Sequence, residues 1–303
     1  MRVVILSART GWHTDELCRA LSLRGHTACV LPYEALTTRI AHGCSVTSEG
    51  VPLLEADAVL ARIIPNGSLE QIIFRVDLLH WLERRGVLVM NRARAIEKSV
   101  DKFLTTALLH DAGLPTPSTV VCERAADAMD AVTAMRDVVI KPLFGSMGHG
   151  LVRVSNPDAA FRVVRALEQI RSVFYVQQAI EHDGRDVRAF VVGGRVLGAI
   201  ERTAAPGDWR TNVSRGGAAR PFSLPAEWAE LAVRAAAVVG AEYAGVDLLP
   251  SRDGEVFVLE VNGIPGWEGL QRATGLDVAG AIVEHLALQV SIHAARDAAG
   301  MNR

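Results

Sequence analysis

The four-residue apolar run Val3-Val4-Ile5-Leu6, followed by Gly11 and then by Thr14-Asp15-Glu16, reads as a buried strand, a loop and a helix start with acid in its first turn. A second strand, at residues 27–31, follows that helix. Strand, helix and strand in this order imply a parallel sheet, because a parallel neighbour is reached only through a crossover that covers one face. Residues 58–64 and 87–90 extend the pattern as buried strands, and the helix between them opens on the capping box Ser68-x-x-Gln71 and runs to about Arg85. The first 90 or so residues therefore read as a small domain with a parallel sheet. Its loop Gly11-Trp12-His13-Thr14 lacks GxGxxG, so a dinucleotide pyrophosphate is not expected there.

A helix is expected from residue 93 to about 112, stopping at Gly113, with Pro115 and Pro117 enforcing an extended linker. A short strand at 138–140 runs into Lys141-Pro142 and the loop Gly145-Ser146-Met147-Gly148-His149-Gly150, and 151–154 returns to pair with it. After a helix over about 158–169 come strands at 174–177, 187–192 and 196–200, the last two joined by Gly193-Gly194. A helix over about 226–240 leads to strands at 244–249 and 255–262, and a last helix is expected to end near Val290, with 291–303 as a frayed tail. The length, 303 residues and half of them apolar, suits about two domains. The formal charge of −2 and the lack of a block of like charge argue against a nucleic-acid partner. Cys18, Cys29, Cys44 and Cys122 have no metal or disulfide spacing, which suits a reducing compartment. Neither a signal peptide nor a stretch of membrane-spanning length is expected, so the reading is cytoplasmic with no membrane partner.

Of 32 basic residues only three are lysines, Lys98, Lys102 and Lys141. In a chain where arginine has replaced nearly every lysine, each survivor either drifts freely or needs an ammonium that arginine cannot replace. Lys141 stands at a strand end beside the glycine loop, where backbone N–H groups and a point charge suit phosphate oxygens. Alternation along 258–262 puts Glu260 and Asn262 on one face, and Asp247 on an antiparallel neighbour can share it. Two carboxylates and an amide oxygen are hard ligands for one or two Mg²⁺ that also hold phosphates. A third group, Arg202, Arg210-Thr211-Asn212 and Arg215, could clamp a carboxylate or a transferring phosphoryl group.

Taken in order, Lys102, Lys141-Pro142 with its loop, Gln177-Gln178-Ala179-Ile180, Gly184-Arg185-Asp186-Val187-Arg188, Arg210-Thr211-Asn212, Gly245-Val246-Asp247 and Glu260-Val261-Asn262 resemble the ATP-grasp ligases, and among them the RimK-type α-L-glutamate ligases. The resemblance implies an α/β (α+β ATP-grasp) fold: a Rossmann-like pre-ATP-grasp domain over 1–92, a central subdomain over 93–173 and a C-terminal subdomain over 174–290, the last two clamping ATP. It implies that Lys102 and Lys141 hold the α- and β-phosphates while Gly145, Ser146, Gly148 and Gly150 close over the triphosphate. Gln177, Gln178, Ala179 and Ile180 would receive adenine through backbone hydrogen bonds, and Asp186 the ribose. Asp247, Glu260 and Asn262 would bind two Mg²⁺, or Mn²⁺, and Arg210, with Arg188 and Arg202, would stabilise the transferring phosphoryl group, beside Thr211 and Asn212. Gln178 departs from the glutamate common at its position.

The implied reaction joins a carboxylate to an amine through an acyl phosphate, adding L-glutamate to a small-molecule acceptor in a homo-oligomer, a dimer or tetramer. A tetrahydromethanopterin-type pterin is one acceptor, suggested by the runs 61–71 and 262–270. The alternatives are glutamylation of a protein C-terminus, as on a ribosomal protein, a kinase, and a nucleotide-binding regulator without turnover. Trp267 is a candidate platform for an aromatic acceptor, and Arg62 for an acceptor carboxylate, with Trp12 and His13 on the same cleft.

Overall fold

In the computed structural model, which describes residues 1–41, 43–145, 150–205, 211 and 218–298, the apolar runs of the front segment become a parallel sheet. The chain passes through β1 (Arg2–Leu6), α1 (Trp12–Leu23), β2 (Thr27–Leu31), β3 (Leu36–Ile40), β4 (Cys44–Ser48), β5 (Val51–Pro52), β6 (Ala58–Ala61), α2 (Leu69–Arg84) and β7 (Leu88–Met90). The order is β2-β1-β6-β7, all parallel, and β3-β4-β5 form a separate antiparallel sheet that the sequence patterning did not mark. The capping box forms: Ser68 Oγ accepts from Gln71 N at 3.3 Å and Gln71 Oε1 accepts from Ser68 N at 3.0 Å.

The helix expected over 93–112 is two helices, α3 (Ala93–Val100) and α4 (Lys102–Asp111). Asp101 breaks it by accepting a hydrogen bond from Leu104 N at 3.0 Å, since a short carboxylate competes for backbone N–H groups and favours the start of a helix over its middle. Next come β8 (Thr119–Cys122), α5 (Ala125–Met135), β9 (Val138–Lys141), β10 (Val152–Val154), α6 (Pro157–Gln169) and β11 (Phe174–Gln178), giving the antiparallel sheet β10-β9-β11-β8. Then β12 (Arg185–Val192), β13 (Arg195–Thr203), β14 (Ala218–Pro221), α7 (Ala226–Val239), β15 (Tyr243–Pro250) and β16 (Val256–Asn262) build a five-stranded antiparallel sheet, β14-β13-β12-β15-β16. The β12–β13 turn needs two left-handed residues, and Gly193 and Gly194 adopt φ of 55° and 74°.

The chain ends with α8 (Glu268–Thr274) and α9 (Val278–Ala298), so the last helix continues past Val290, where the sequence suggested a tail. Its Val278, Ala279, Ile282, Val283 and Leu286, at helical spacing, are buried in one core with Val3, Ile5, Leu60 and Met90 of the front sheet. This packing accounts for the apolar residues of the first half of α9, and Val278–Arg296 as a whole is, by length and composition, apolar enough to cross a membrane, contrary to the sequence expectation. Asn91, fully buried after β7, ties the front sheet to the last one. Its Nδ2 donates to the Tyr243 and Gly263 carbonyls at 2.7 and 2.6 Å, and its Oδ1 accepts from Glu242 N and Tyr243 N at 2.7 and 3.2 Å.

Candidate active site

The register of the last sheet collects the charged side chains. Asp247 pairs with Glu260 on one side and Arg188 on the other, Asp186 pairs with Arg202, and Gly245, opposite Asn262, contributes no side chain. Alternation therefore places Asp186, Arg188, Arg202, Asp247, Glu260 and Asn262 on one face, while Val187, Ala189, Val246 and Val261 turn to the core against α7. In the central sheet, Lys141 pairs with Tyr175 and Gln177 with Thr119, again on one face, with Val138, Ile140, Phe174 and Val176 in the opposite core. Both polar faces line one cavity of about 1230 Å³, which reaches to Arg62 and His13 at the front sheet.

Two of the arginines expected to meet a phosphoryl group, Arg188 and Arg202, are engaged with carboxylates. Arg188 grips Asp247 through Nε–Oδ1 at 2.6 Å and Nη2–Oδ2 at 2.7 Å. Arg202 donates to Asp186 from Nε and Nη2 at 2.7 and 2.5 Å and reaches Asp247 Oδ2 at 3.0 Å. Thr211 Oγ1 donates to Asp186 Oδ2 at 2.6 Å, so both Asp186 oxygens are occupied. Burial works to raise the Asp247 pKa, but Arg188 and Arg202 outweigh it and hold the carboxyl down to about 2. Glu260 has no ion pair with a described residue, and Asn262 Oδ1 accepts from Ile264 N at 2.9 Å, which leaves it a lone pair. The donor set, two carboxylates and one amide oxygen on a single face, fits Mg²⁺.

Lys141 Nζ donates to Gln177 Oε1 at 2.6 Å, and Gln177 Nε2 donates to Thr119 Oγ1 and the Tyr175 hydroxyl at 2.9 and 3.1 Å. Thr106 completes this chain at 2.8 Å from the Tyr175 hydroxyl. Thr106, Thr119 and Tyr175 were not anticipated, since strand register brings Thr119 and Tyr175 beside Lys141 and Gln177, and the packing of α4 brings Thr106 to the Tyr175 hydroxyl. Burial, with Lys102 adding to it, pushes the Lys141 pKa down to about 8 against the attraction of Glu260 and Asp247. Lys102, first residue of α4, donates to the Gly145 carbonyl at 2.8 Å, and burial lowers its pKa against the pull of Glu260 and Asp101. Lys98 lies elsewhere, with Nζ 3.4 Å from the Val238 carbonyl at the end of α7.

In the segment expected to receive adenine, Gln178 N and Ala179 N are taken by the Ser118 and Asp137 carbonyls at 2.8 and 2.9 Å, leaving Ile180 N–H without a backbone acceptor among the described residues. Trp267 is 1% exposed, packed against Trp12, His13 and Phe190, so it offers no open platform for an acceptor ring. Gly150, with φ 74°, and Gly145 flank the loop; Ser146, Gly148, Arg210, Asn212 and Arg215 lie outside the described residues.

Two antiparallel sheets facing each other across a cleft of lysines and paired carboxylates, behind a parallel-sheet front domain, define an ATP-grasp enzyme, a ligase that forms C–N bonds. Residues 99–286 match the RimK-like ATP-grasp domain and residues 1–96 the RimK pre-ATP-grasp domain, and the chain belongs to this RimK-like ATP-grasp family. It is 34% identical to the tetrahydromethanopterin:alpha-L-glutamate ligase of Methanosarcina acetivorans, over 91% of this chain and 95% of that protein. It is 36% identical to a probable alpha-L-glutamate ligase of Xanthomonas campestris, over 94% and 98%. Among solved structures, a RimK domain ATP-grasp protein of Sphaerobacter thermophilus superposes with a TM-score of 0.72 at 25% identity, covering 95% of this chain and 100% of that one. The ATP-grasp ligase PsnB, complexed with minimal precursor, Mg and ADP, shares the fold with a TM-score of 0.75 at 21% identity, over 95% and 97%.

Proposed function

We propose that the protein adds L-glutamate to a small-molecule acceptor at the expense of ATP, through an acyl phosphate. The observation that carries the reading is the single cavity on which Lys102, Lys141, Asp247, Glu260 and Asn262 meet. The relatives named as alpha-L-glutamate ligases support glutamate as the amine and a small molecule, a pterin among the candidates, as the acceptor. On this reading the cleft lies between residues 93–173 and 174–290, behind a front domain of residues 1–92.

Lys102 and Lys141 hold the α- and β-phosphates, and the loop of Gly145, Ser146, Gly148 and Gly150 covers the triphosphate. Adenine lies along Gln177–Ile180, where Ile180 N–H and the carbonyl oxygens are the groups available, and the ribose lies at Asp186. Asp247, Glu260 and Asn262 hold two Mg²⁺, which Mn²⁺ can replace, and the ions supply charge neutralisation for the phosphates. Arg188, Arg202 and Arg210, with Thr211 and Asn212 beside them, bring positive charge to the phosphoryl group in flight.

An acceptor carboxylate oxygen attacks the γ-phosphorus as the bond to the β-phosphate oxygen breaks and ADP departs. The glutamate amine, having lost a proton, then attacks the acyl carbon, an amide forms and phosphate leaves. Catalysis is positioning and charge neutralisation, with no nucleophilic side chain. The deciding measurement is ADP release from purified protein as acceptor and glutamate are added separately and together, with product mass read in parallel. Sustained ADP release, beyond one equivalent of enzyme, is expected only when both are present, with a mass gain of one glutamyl unit per turnover. A phosphorylated acceptor accumulating at full rate without glutamate would make the protein a kinase instead.

A further inference from the structure

The catalytic reading leaves the front end of the cavity without a role. Arg62, just after β6, lines that end while only 2% exposed. Its Nη2 donates to the Pro265 carbonyl at 2.9 Å, its Nη1 approaches the Tyr243 hydroxyl at 3.4 Å, and its guanidinium lies 4.7 Å over the Trp267 ring. None of these partners is negatively charged, and Arg62 has no ion pair with a described residue, whereas the equally buried Arg202 bonds two carboxylates. A buried cation without a counter-ion is costly unless something supplies the missing charge. Three of its five N–H donors remain for a bidentate acceptor.

No described residue around Arg62 supplies an anion. Arg9, exposed on the same wall, is likewise without an ion pair to a described residue. His13 accepts from Trp267 N at Nε2, 3.1 Å, which leaves its proton on Nδ1, and burial together with Arg62 pulls its pKa down to about 4, so it is neutral. Glu268, the one carboxylate at this end among the described residues, is 2.5 Å from Arg272.

We infer that Arg62, aided by Arg9, forms an anion subsite that holds a carboxylate of the acceptor other than the one being activated, so that acceptors carry at least two carboxylates. The inference rests on the ligase reading, because it makes the front end the acceptor's entrance. It assigns Arg62 a part in choosing which carboxylate reaches the γ-phosphate: the one held at the front cannot react.

Glutarate is a suitable probe, with 1,5-pentanediol as its neutral counterpart, titrated into protein saturated with ADP and Mg²⁺ so that the lysines are covered; binding is read by calorimetry and by the emission of the neighbouring tryptophans. Saturable glutarate binding is expected, with none for the diol. Arg62→Gln and Arg9→Gln should each weaken glutarate by about tenfold, the scale of one charge-assisted contact, while ADP affinity stays unchanged. A purely structural tie through Arg62 would move the melting temperature without this selective loss. Should Arg62→Gln fail to fold, the exposed Arg9 decides. Absence of glutarate binding, equal binding of the diol, or undiminished binding in the folded variants overturns the subsite. Failure of ADP to bind the unaltered protein would instead overturn the nucleotide reading.

Discussion

Lys141 is held where its proton is weakly bound, and that has a direction that can be tested. Its pKa of about 8 in the folded protein lies below the ordinary 10.5. Below pH 8 the ammonium is present but disfavoured by burial, and between about 8 and 10.5 the unfolded chain keeps a proton that the folded one has lost. Stability of the ligand-free protein should therefore gain from this group as pH rises through that window, and Lys141→Gln should lack the gain in denaturant titrations. ADP affinity should run the other way, falling above pH 8 as the charge disappears, and Lys141→Arg should abolish that basic limb while weakening ADP binding. Asp247→Asn should remove turnover, about 100-fold or more, and leave Arg188 and Arg202 without their shared carboxylate; full activity would refute the metal assignment. Scarcity of lysine made Lys102 and Lys141 legible as candidates. The sequence could not show that Arg188 and Arg202 spend their hydrogen bonds on Asp247 and Asp186, because that depends on strand pairing. Lys98, without a role in the sequence reading, has one at the end of α7, where its charge suits the carbonyl end of the helix dipole.

At the scale of elements, local chemistry was readable and register was not. The capping box at Ser68, the glycine turn at 193–194 and the alternation of β16 follow from nearest neighbours in the chain, and all three form. The β3–β5 sheet and β14 carry little apolar periodicity and were invisible for that reason. The break at Asp101 is a local signal, a short carboxylate at a helix start, and it matters because it makes Lys102 the first residue of α4, from which its Nζ reaches the Gly145 carbonyl. Asn91 is the element-scale residue with the most to lose. Its side chain serves four backbone groups, from Glu242, Tyr243 and the loop after β16, so Asn91→Ala should cost about 2–4 kcal/mol in chemical denaturation. Asn91→Asp should cost a comparable amount, since a carboxylate cannot donate to the Tyr243 and Gly263 carbonyls.

Across the whole molecule, the core that joins α9 to the front sheet also takes in Phe190, Tyr243 and Trp267 of the last sheet and its neighbours. Ile282→Ala, in the middle of that core, should destabilise by about 2–4 kcal/mol, and the loss should appear in probes on the front sheet and on the C-terminal sheet together. Separate transitions would show that the two parts are energetically independent. ADP with Mg²⁺ should raise the melting temperature in a concentration-dependent way, as any ligand of the folded state alone does. No local pattern could have disclosed the partnership between α9 and β1, because the two lie more than 270 residues apart in sequence.

That separation has a consequence for how the protein is made. Translation delivers β1 well before α9, at about 5–20 residues per second, so Val3 and Ile5 wait roughly 15–60 s for the helix that covers them. During that interval the nascent parallel sheet shows an apolar face with no native cover, the condition under which chaperones bind and edge strands find wrong partners. The sheet that leaves the ribosome long before α9 is thus finished only when that helix arrives.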